Sequence, residues 1–237
     1  MRKKVLFLGI LAVLILGAIS VHTYFFAESL QEIEESKKYI TLPPARHKGN
    51  VSVEEAIFGR RSIRAYTAEP LSLEEVSQLL WAAGGITVDA VTGPTRSYPS
   101  AGAMYPLTIY LVAGKVNGLE PGIYRYNWHD HSIDQVKDGD FREQLMLASL
   151  GQRMVGNAPA NIVITAVYSW TERQYGKRGE VRYVPMDTGH AGQNVELQAE
   201  ALGLGSVIVG AFNDDAVKEV LGIKDEEPLY IIPVGKK

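Results

Sequence analysis

The stretch RSYPSAGAMYPLTIYLVAG, residues 96–114, decides how the rest of the chain is read. Its second half, LTIYLVA from Leu107 to Ala113, is a short apolar run between Pro106 and Gly114 and reads as a buried strand. Its first half, PSAGAMYP, sets small residues directly before that strand. Pro99, Ser100 and Gly102 are ordinary loop formers, so a turn accounts for them. The same small residues would let a flat ligand lie against the backbone, with Tyr105 offering a ring face or a hydroxyl. Both readings stay open on this stretch alone.

Working outward, Ser52 with Glu55 and Ser72 with Glu75 are capping-box pairs. They open helices at SVEEAIFGRRS and LSLEEVSQLLWAAGG. In the second, Leu73, Val76, Leu79, Leu80 and Ala83 recur at helical spacing and Gly84 is the expected stop. A loop is expected from there to Pro106. Downstream, GIYRYNW alternates as a half-exposed strand, and Asp140 is expected to cap a helix in DFREQLMLASLG. NIVITAVY reads as a strand and TERQYGKRGEVRYVP as an exposed basic segment. AGQNVELQAEALG reads as a helix ending at GLGS. SVIVGAF reads as a strand, DDAVKEVLG as a helix capped by Asp214, and LYIIPVG as a last strand. Helices and strands mix without strict alternation, which favours an α+β fold over a doubly wound sheet. GLGS follows a helix and precedes a strand, the reverse of a dinucleotide fingerprint.

At 237 residues the chain has room for one medium domain and an extra segment. The net charge of −3 gives no sign of a nucleic-acid surface. There is no cysteine, which excludes disulfides, thiolate nucleophiles and cysteine-held metals. The five histidines show no metal-ligand spacing, and WHDHS around His129 and His131 reads as a solvated turn. The N-terminus, MRKK followed by an uncharged run from Val5 to Val21, reads as a single-pass anchor over residues 1–27. Arg2, Lys3 and Lys4 would keep its start cytoplasmic and send the domain outward. A cleaved signal segment is the rival, although Phe25 and Phe26 do not suit the cleavage site. Residues 28–50 then read as a linker and 51–237 as the folded domain.

Two further motifs could carry chemistry. In GRRSIRAY, Arg60, Arg61 and Arg64 crowd around Ser62, and three guanidiniums so close need an anion or water to screen them. A phosphate would serve, and so would a solvated helix end. GHAGQNVELQAEALGLGSVIVGAF is first of all a core helix running to glycines.

In series, RRSIRAY, LLWAAGGIT, YPSAGAMYPLTIYLV, GIYRYN, GHAGQNVELQAEALGLGSVIVGAF and PVGKK resemble the FMN-dependent nitroreductase superfamily. They are most similar to its SagB-type dehydrogenase branch, and the likeness runs from Val51 to Lys237. The resemblance implies a three-layer α+β sandwich with a mostly antiparallel sheet, and a homodimer with FMN at the subunit interface. It implies that Arg60, Arg61 and Ser62 hold the phosphate or ribityl chain. Arg64 would stand by the pyrimidine edge, where a fixed cation stabilises the reduced ring. Ser100, Ala101, Gly102, Ala103 and Tyr105 would wall the ring, Gly210 and Ala211 would put amides near N5, and Lys236 or Lys237 would reach the phosphate. Ala103 stands where many members have Asn, so contact there would be through main chain. No side chain is singled out as acid or base; Tyr105 and Tyr183 are candidates for a proton relay, with packing or pocket lining the favoured reading of each. The implied activity is hydride transfer through FMN, with NAD(P)H as a donor; if the anchor sends the domain outward, where NAD(P)H is scarce, a membrane quinone pool is the alternative donor. An azoline-type dehydrogenase acting on a modified peptide, or a flavin-binding module without turnover, would share these motifs.

Overall fold

The computed structural model describes residues 38–90 and 93–237. The expected anchor, residues 1–27, lies outside them. Among the described residues no helix is long and apolar enough to cross a membrane.

In chain order the elements begin with β1 (Tyr39–Thr41), α1 (Val53–Gly59), α2 (Leu73–Gly84), β2 (Ile86–Ala90) and β3 (Gly93–Arg96). A 3-10 turn (Ala101–Ala103) leads to β4 (Leu107–Ala113), β5 (Gly122–Asn127) and β6 (Ser132–Asp138). Then come α3 (Arg142–Ala148), α4 (Arg153–Asn157), β7 (Ala160–Ala166) and α5 (Tyr168–Tyr175). A π turn (Gly179–Tyr183) feeds α6 (Val184–Ala201), followed by β8 (Leu204–Ser206), α7 (Asp214–Leu221) and β9 (Glu227–Lys236).

Seven strands form one sheet in the order β1-β6-β5-β4-β7-β9-β8, and β2 and β3 form a separate hairpin. Every pairing between named strands is antiparallel. β4 stands at the centre, in register with β7 from Leu107↔Ala166 to Ala113↔Ala160. Its alternate residues feed two cores. Leu107, Ile109, Leu111 and Ala113 meet Leu79, Leu80 and Ala83 of α2 and Ala191, Val195 and Ala199 of α6. Tyr110 and Val112 meet Leu145 of α3, Val155 of α4, and Val217 and Leu221 of α7. Helices on both faces explain why LTIYLVA is buried throughout. Fully burying each such Leu or Ile contributes about 1.5–3 kcal/mol.

Both capping boxes form: Ser52 Oγ accepts the Glu55 amide and Ser72 Oγ the Glu75 amide, each glutamate returning the bond. Other expectations need correction. The compact unit starts at Tyr39, not near Val51, because β1 pairs with β6 inside the stretch read as linker. The loop expected before Pro106 contains the β2–β3 hairpin. β5 is largely buried rather than half-exposed, since both faces of its sheet are covered; Arg125 is its exposed residue. TERQYGKRGEVRYVP is largely exposed, as expected, and is also helical, Gly176 ending α5 and the π turn running into α6. Asn213, not Asp214, caps α7 by accepting the Ala216 amide. Phe141 holds the cap position of α3, while Asp140 accepts the Arg142 amide from one residue further back. Of the expected strand SVIVGAF only Ser206 lies in a ladder, at the end of β8, which starts at Leu204 within GLGS; beyond it Val209 makes a single bridge to Ile231.

The WHDHS turn is not simply solvated. His131 sits 2.8 Å from Ser77 Oγ, 3.0 Å from the Pro43 carbonyl and, through Nδ1, 2.8 Å from the Tyr126 hydroxyl. It ties the chain after β1 to α2. Burial lowers its pKa below the ordinary histidine value.

Candidate active site

The segment after α1 is laid along the ends of β8 and β9. Ile63 N donates to the Ser206 carbonyl at 2.8 Å, and Thr67 N to the Lys236 carbonyl at 3.0 Å. The Tyr66 hydroxyl donates to the Ile63 and Pro233 carbonyls. This lays the segment that follows Arg60 and carries Ser62 beside Ser206 of β8 and Lys236 of β9. The cations there divide into two kinds. Arg60 pairs with Glu196 at 3.2 Å, Lys236 with Glu75, and Lys237 with Glu200 at 2.5 Å. Arg61 and Arg64 donate only to backbone carbonyls, of Phe58 and Arg60 and of Ser62. Among the described residues, these two exposed guanidiniums have no carboxylate partner, so they carry the uncompensated charge next to the exposed Ser62 hydroxyl.

Glu196 is 5% exposed, and its Oε1 has no hydrogen-bond partner. Burial raises its pKa, and Arg60 opposes the rise. The three glutamates were not legible as site residues, because a carboxylate on a helix reads first as solvated surface.

The loop from Ser97 to Tyr105 is fixed by a different set of bonds. Ser97 Oγ donates to the Ala82 carbonyl, Asn194 Nδ2 donates to the Ser97 carbonyl at 2.7 Å, and Arg96 Nε donates to the Gly84 carbonyl at 2.7 Å. Arg96 is 6% exposed and lies 5.0–5.7 Å from the ring centres of Trp128, Tyr98 and Tyr105. Gly102, Ala103 and Tyr105 all have positive φ, which is strained for the last two. At Gly102 a Cβ would come within 2.4 Å of the Tyr175 hydroxyl, so only glycine lets that hydroxyl lie over the loop. Tyr105 turns its ring edge-on to Tyr98 and packs against the core. The loop therefore offers its outer side mainly as the exposed backbone of Gly102 and Ala103.

Ser100 holds the loop together. Its Oγ accepts the Tyr105 amide at 2.9 Å and lies 2.5 Å from Asp187 Oδ2. Asp187 is 3% exposed, and burial raises its pKa while Ser100, the Ala101 amide and His190 pull it down. Sequence reasoning missed Asp187. The available signal was an acidic residue one helical turn before His190, but it stands ahead of the helix as read from the sequence, which the structure starts at Val184. Tyr183, one relay candidate, accepts from Arg178 Nε and packs edge-on to Tyr175.

Gly210 and Ala211 follow the Val209–Ile231 bridge and are exposed; Gln152 Nε2 holds the Ala211 carbonyl at 2.7 Å. Among the described residues their own amides have no acceptor.

α6 separates these parts. At ~3.6 residues per turn, Asp187, His190, Asn194 and Gln198 form one stripe, and Gly192, Glu196 and Glu200 lie about half a turn away. The first stripe meets Ser100, the Pro99 and Ser97 carbonyls, and Gln78. The second meets Arg60 and Lys237, and at Gly192 it packs close to Ile208 and Tyr230. Within one chain, the loop and the cations thus stand on opposite flanks of one helix.

The sequence profile of the nitroreductase family matches residues 57–236. The Methanocaldococcus jannaschii protein MJ1384, described as a nitroreductase, is 45% identical over 187 residues, covering 79% of this chain and 92% of that one. The trifolitoxin operon protein TfxC of Rhizobium leguminosarum is 25% identical over 205 residues, covering 81% of this chain and 57% of TfxC. A crystal structure from Ralstonia eutropha, also described as a nitroreductase, superposes with a TM-score of 0.71 at 29% identity, covering 84% of this chain and 89% of its own. With this fold and these matches, the chain belongs to the nitroreductase family of oxidoreductases.

Proposed function

We propose that the chain is an FMN-dependent oxidoreductase whose site is completed by a second copy of itself. The observation that carries this reading is the division across α6. Two unpaired guanidiniums and a free hydroxyl stand on one flank, Arg61, Arg64 and Ser62, with the unpaired amides of Gly210 and Ala211 nearby in sequence to β8. A small-residue loop with exposed main chain stands on the other. The first set suits an anion and the second a flat ring. Packing two copies across α6 would set one chain's loop against the other's cations.

The residues present fit FMN. Arg61 and Ser62 would hold the phosphate, with Arg60, Lys236 and Lys237 reaching it at the expense of their glutamates. Arg64 would stand by the ring edge, where its charge favours the reduced form. Gly102 and Ala103 would bear on the ring through main chain, and the amides of Gly210 and Ala211 would donate to its edge. FMN, when bound, supplies hydride transfer between a reduced donor and an organic acceptor. The protein's part is to bind, orient and exclude water.

The decisive measurement is an absorbance spectrum of the purified full-length protein, with and without NAD(P)H under anaerobic conditions. A flavin spectrum that bleaches on addition is expected. A colourless protein that cannot be reconstituted with FMN overturns the reading, and bound flavin that no donor reduces makes it a binding module. The relation to TfxC favours a second reading, an azoline-type dehydrogenase acting on a modified peptide. Conversion of an azoline-bearing peptide to the azole, two hydrogens lighter by mass, tests it. The apolar run from Val5 to Val21 supports membrane anchoring. If the domain faces outward, a quinone pool replaces NAD(P)H as the more available donor, and recovery of the protein in carbonate-washed membranes checks the anchor.

A further inference from the structure

Ser100 is hemmed in so that its hydrogen-bonding polarity is not its own. A hydroxyl has one proton to donate and two lone pairs. The Tyr105 amide occupies one lone pair at 2.9 Å, and Asp187 Oδ2 lies 2.5 Å away. If Asp187 is ionised it can only accept, so Ser100 must spend its proton on it. One lone pair is left, and outward from the loop Ser100 can only accept. If Asp187 is neutral, its O–H takes the second lone pair. The Ser100 proton is then free, and outward it can only donate. From this geometry we infer that Asp187 and Ser100 form a proton-controlled polarity switch. Ser100 meets the bound ligand, and Asp187 is a positioning residue behind it.

The setting suits that role. Asp187 is nearly sealed from water, so its charged form is disfavoured and its pKa stands above the ordinary aspartate value of about 3.9. The titratable groups facing it are His190 on its own helix and Tyr98 on the loop. Tyr98 is buried and its pKa is raised by burial, so it stays neutral and adds no counter-charge. Tyr175 from α5 covers the loop at Gly102. The buried cation nearby, Arg96, stacks on Tyr98 and Tyr105. A ligand that gains negative charge next to Ser100 favours the donor form. It therefore draws a proton onto Asp187 from solvent, and losing that charge releases the proton again. For the redox part this rests on the reading that the loop walls the flavin: reduction would be coupled to the uptake of one extra proton per site.

Two arms test it. In the flavin-free full-length protein, carbon NMR of labelled aspartate follows the carboxyl signal that Asp187→Asn removes. We expect it to titrate above the ordinary aspartate range, with the Tyr105 amide shift following the same curve. Titration in the ordinary range, or an amide blind to it, overturns the switch, and this arm does not depend on flavin binding. In the flavin-loaded protein, proton uptake on reduction is measured across that titration range. The wild type is expected to take up one proton per site more than Asp187→Asn, whose amide group keeps donating to Ser100 and fixes the neutral arrangement. Equal uptake overturns the coupling. Failure to bind FMN would sink the proposed function, while the titration in the flavin-free protein would still decide the switch.

Discussion

The two flanks of α6 are organised by different physics. On the Glu196 flank the parts are cations, and what holds them is charge: Arg60, Lys236 and Lys237 each lie against a glutamate. On the Asp187 flank the parts are small residues, held by strained backbone, one shared hydroxyl and aromatic packing. Losing a cation strands a carboxylate, whereas losing a loop contact relaxes a strained turn. The first flank should therefore respond to mutation chiefly in stability, and the second chiefly in shape.

The largest expected effect is at Arg60. Arg60→Ala leaves Glu196 buried with neither oxygen well paired. Breaking a buried pair costs about 3–5 kcal/mol, reduced here to about 2 kcal/mol because Arg60 is partly exposed. Adding Glu196→Gln should recover most of that loss in denaturant unfolding; no recovery would mean that Arg60 acts through packing. Gly102→Ala should cost about 1–2 kcal/mol, from the left-handed backbone and the displaced Tyr175 hydroxyl, without changing the charge-held flank. Unchanged stability would show that the turn is not strained in solution. The smallest effect is expected at His131, away from both flanks. Its folded pKa is lowered, so its neutral form contributes stability above the unfolded value of about 6.5, and this is lost as pH falls from there through the folded pKa. Melting curves of His131→Gln against the wild type should converge at acidic pH; parallel curves would remove the histidine from the acid response.

The same contrast explains what could be read in advance. The central strand and both capping boxes are local patterns, and each formed where its residues stand. The β2–β3 hairpin and the strand at Tyr39 were read as loop and linker, and β1 is set by its distant partner β6. Among the candidate residues, Arg60, Arg61 and Arg64 were legible as a crowd of like charges that an anion or water must screen. Asp187 and Glu196 were not, because what makes them notable is burial, and a carboxylate within a helix gives no local sign of that. Tyr105 was expected as a ring facing the ligand. In the structure its half-buried ring packs against the core, edge-on to Tyr98.

Arg96 sets how the two flanks should answer to salt. It anchors the loop through carbonyls and the faces of three rings, with no carboxylate partner among the described residues, and it does so out of reach of solvent. Mobile ions screen exposed charges over about 8 Å at physiological ionic strength and reach buried ones far less. Concentrated salt should therefore loosen whatever the exposed Arg61 and Arg64 hold, while leaving the ring-facing wall in place. A ligand gripped at both ends would let go of its anionic end first.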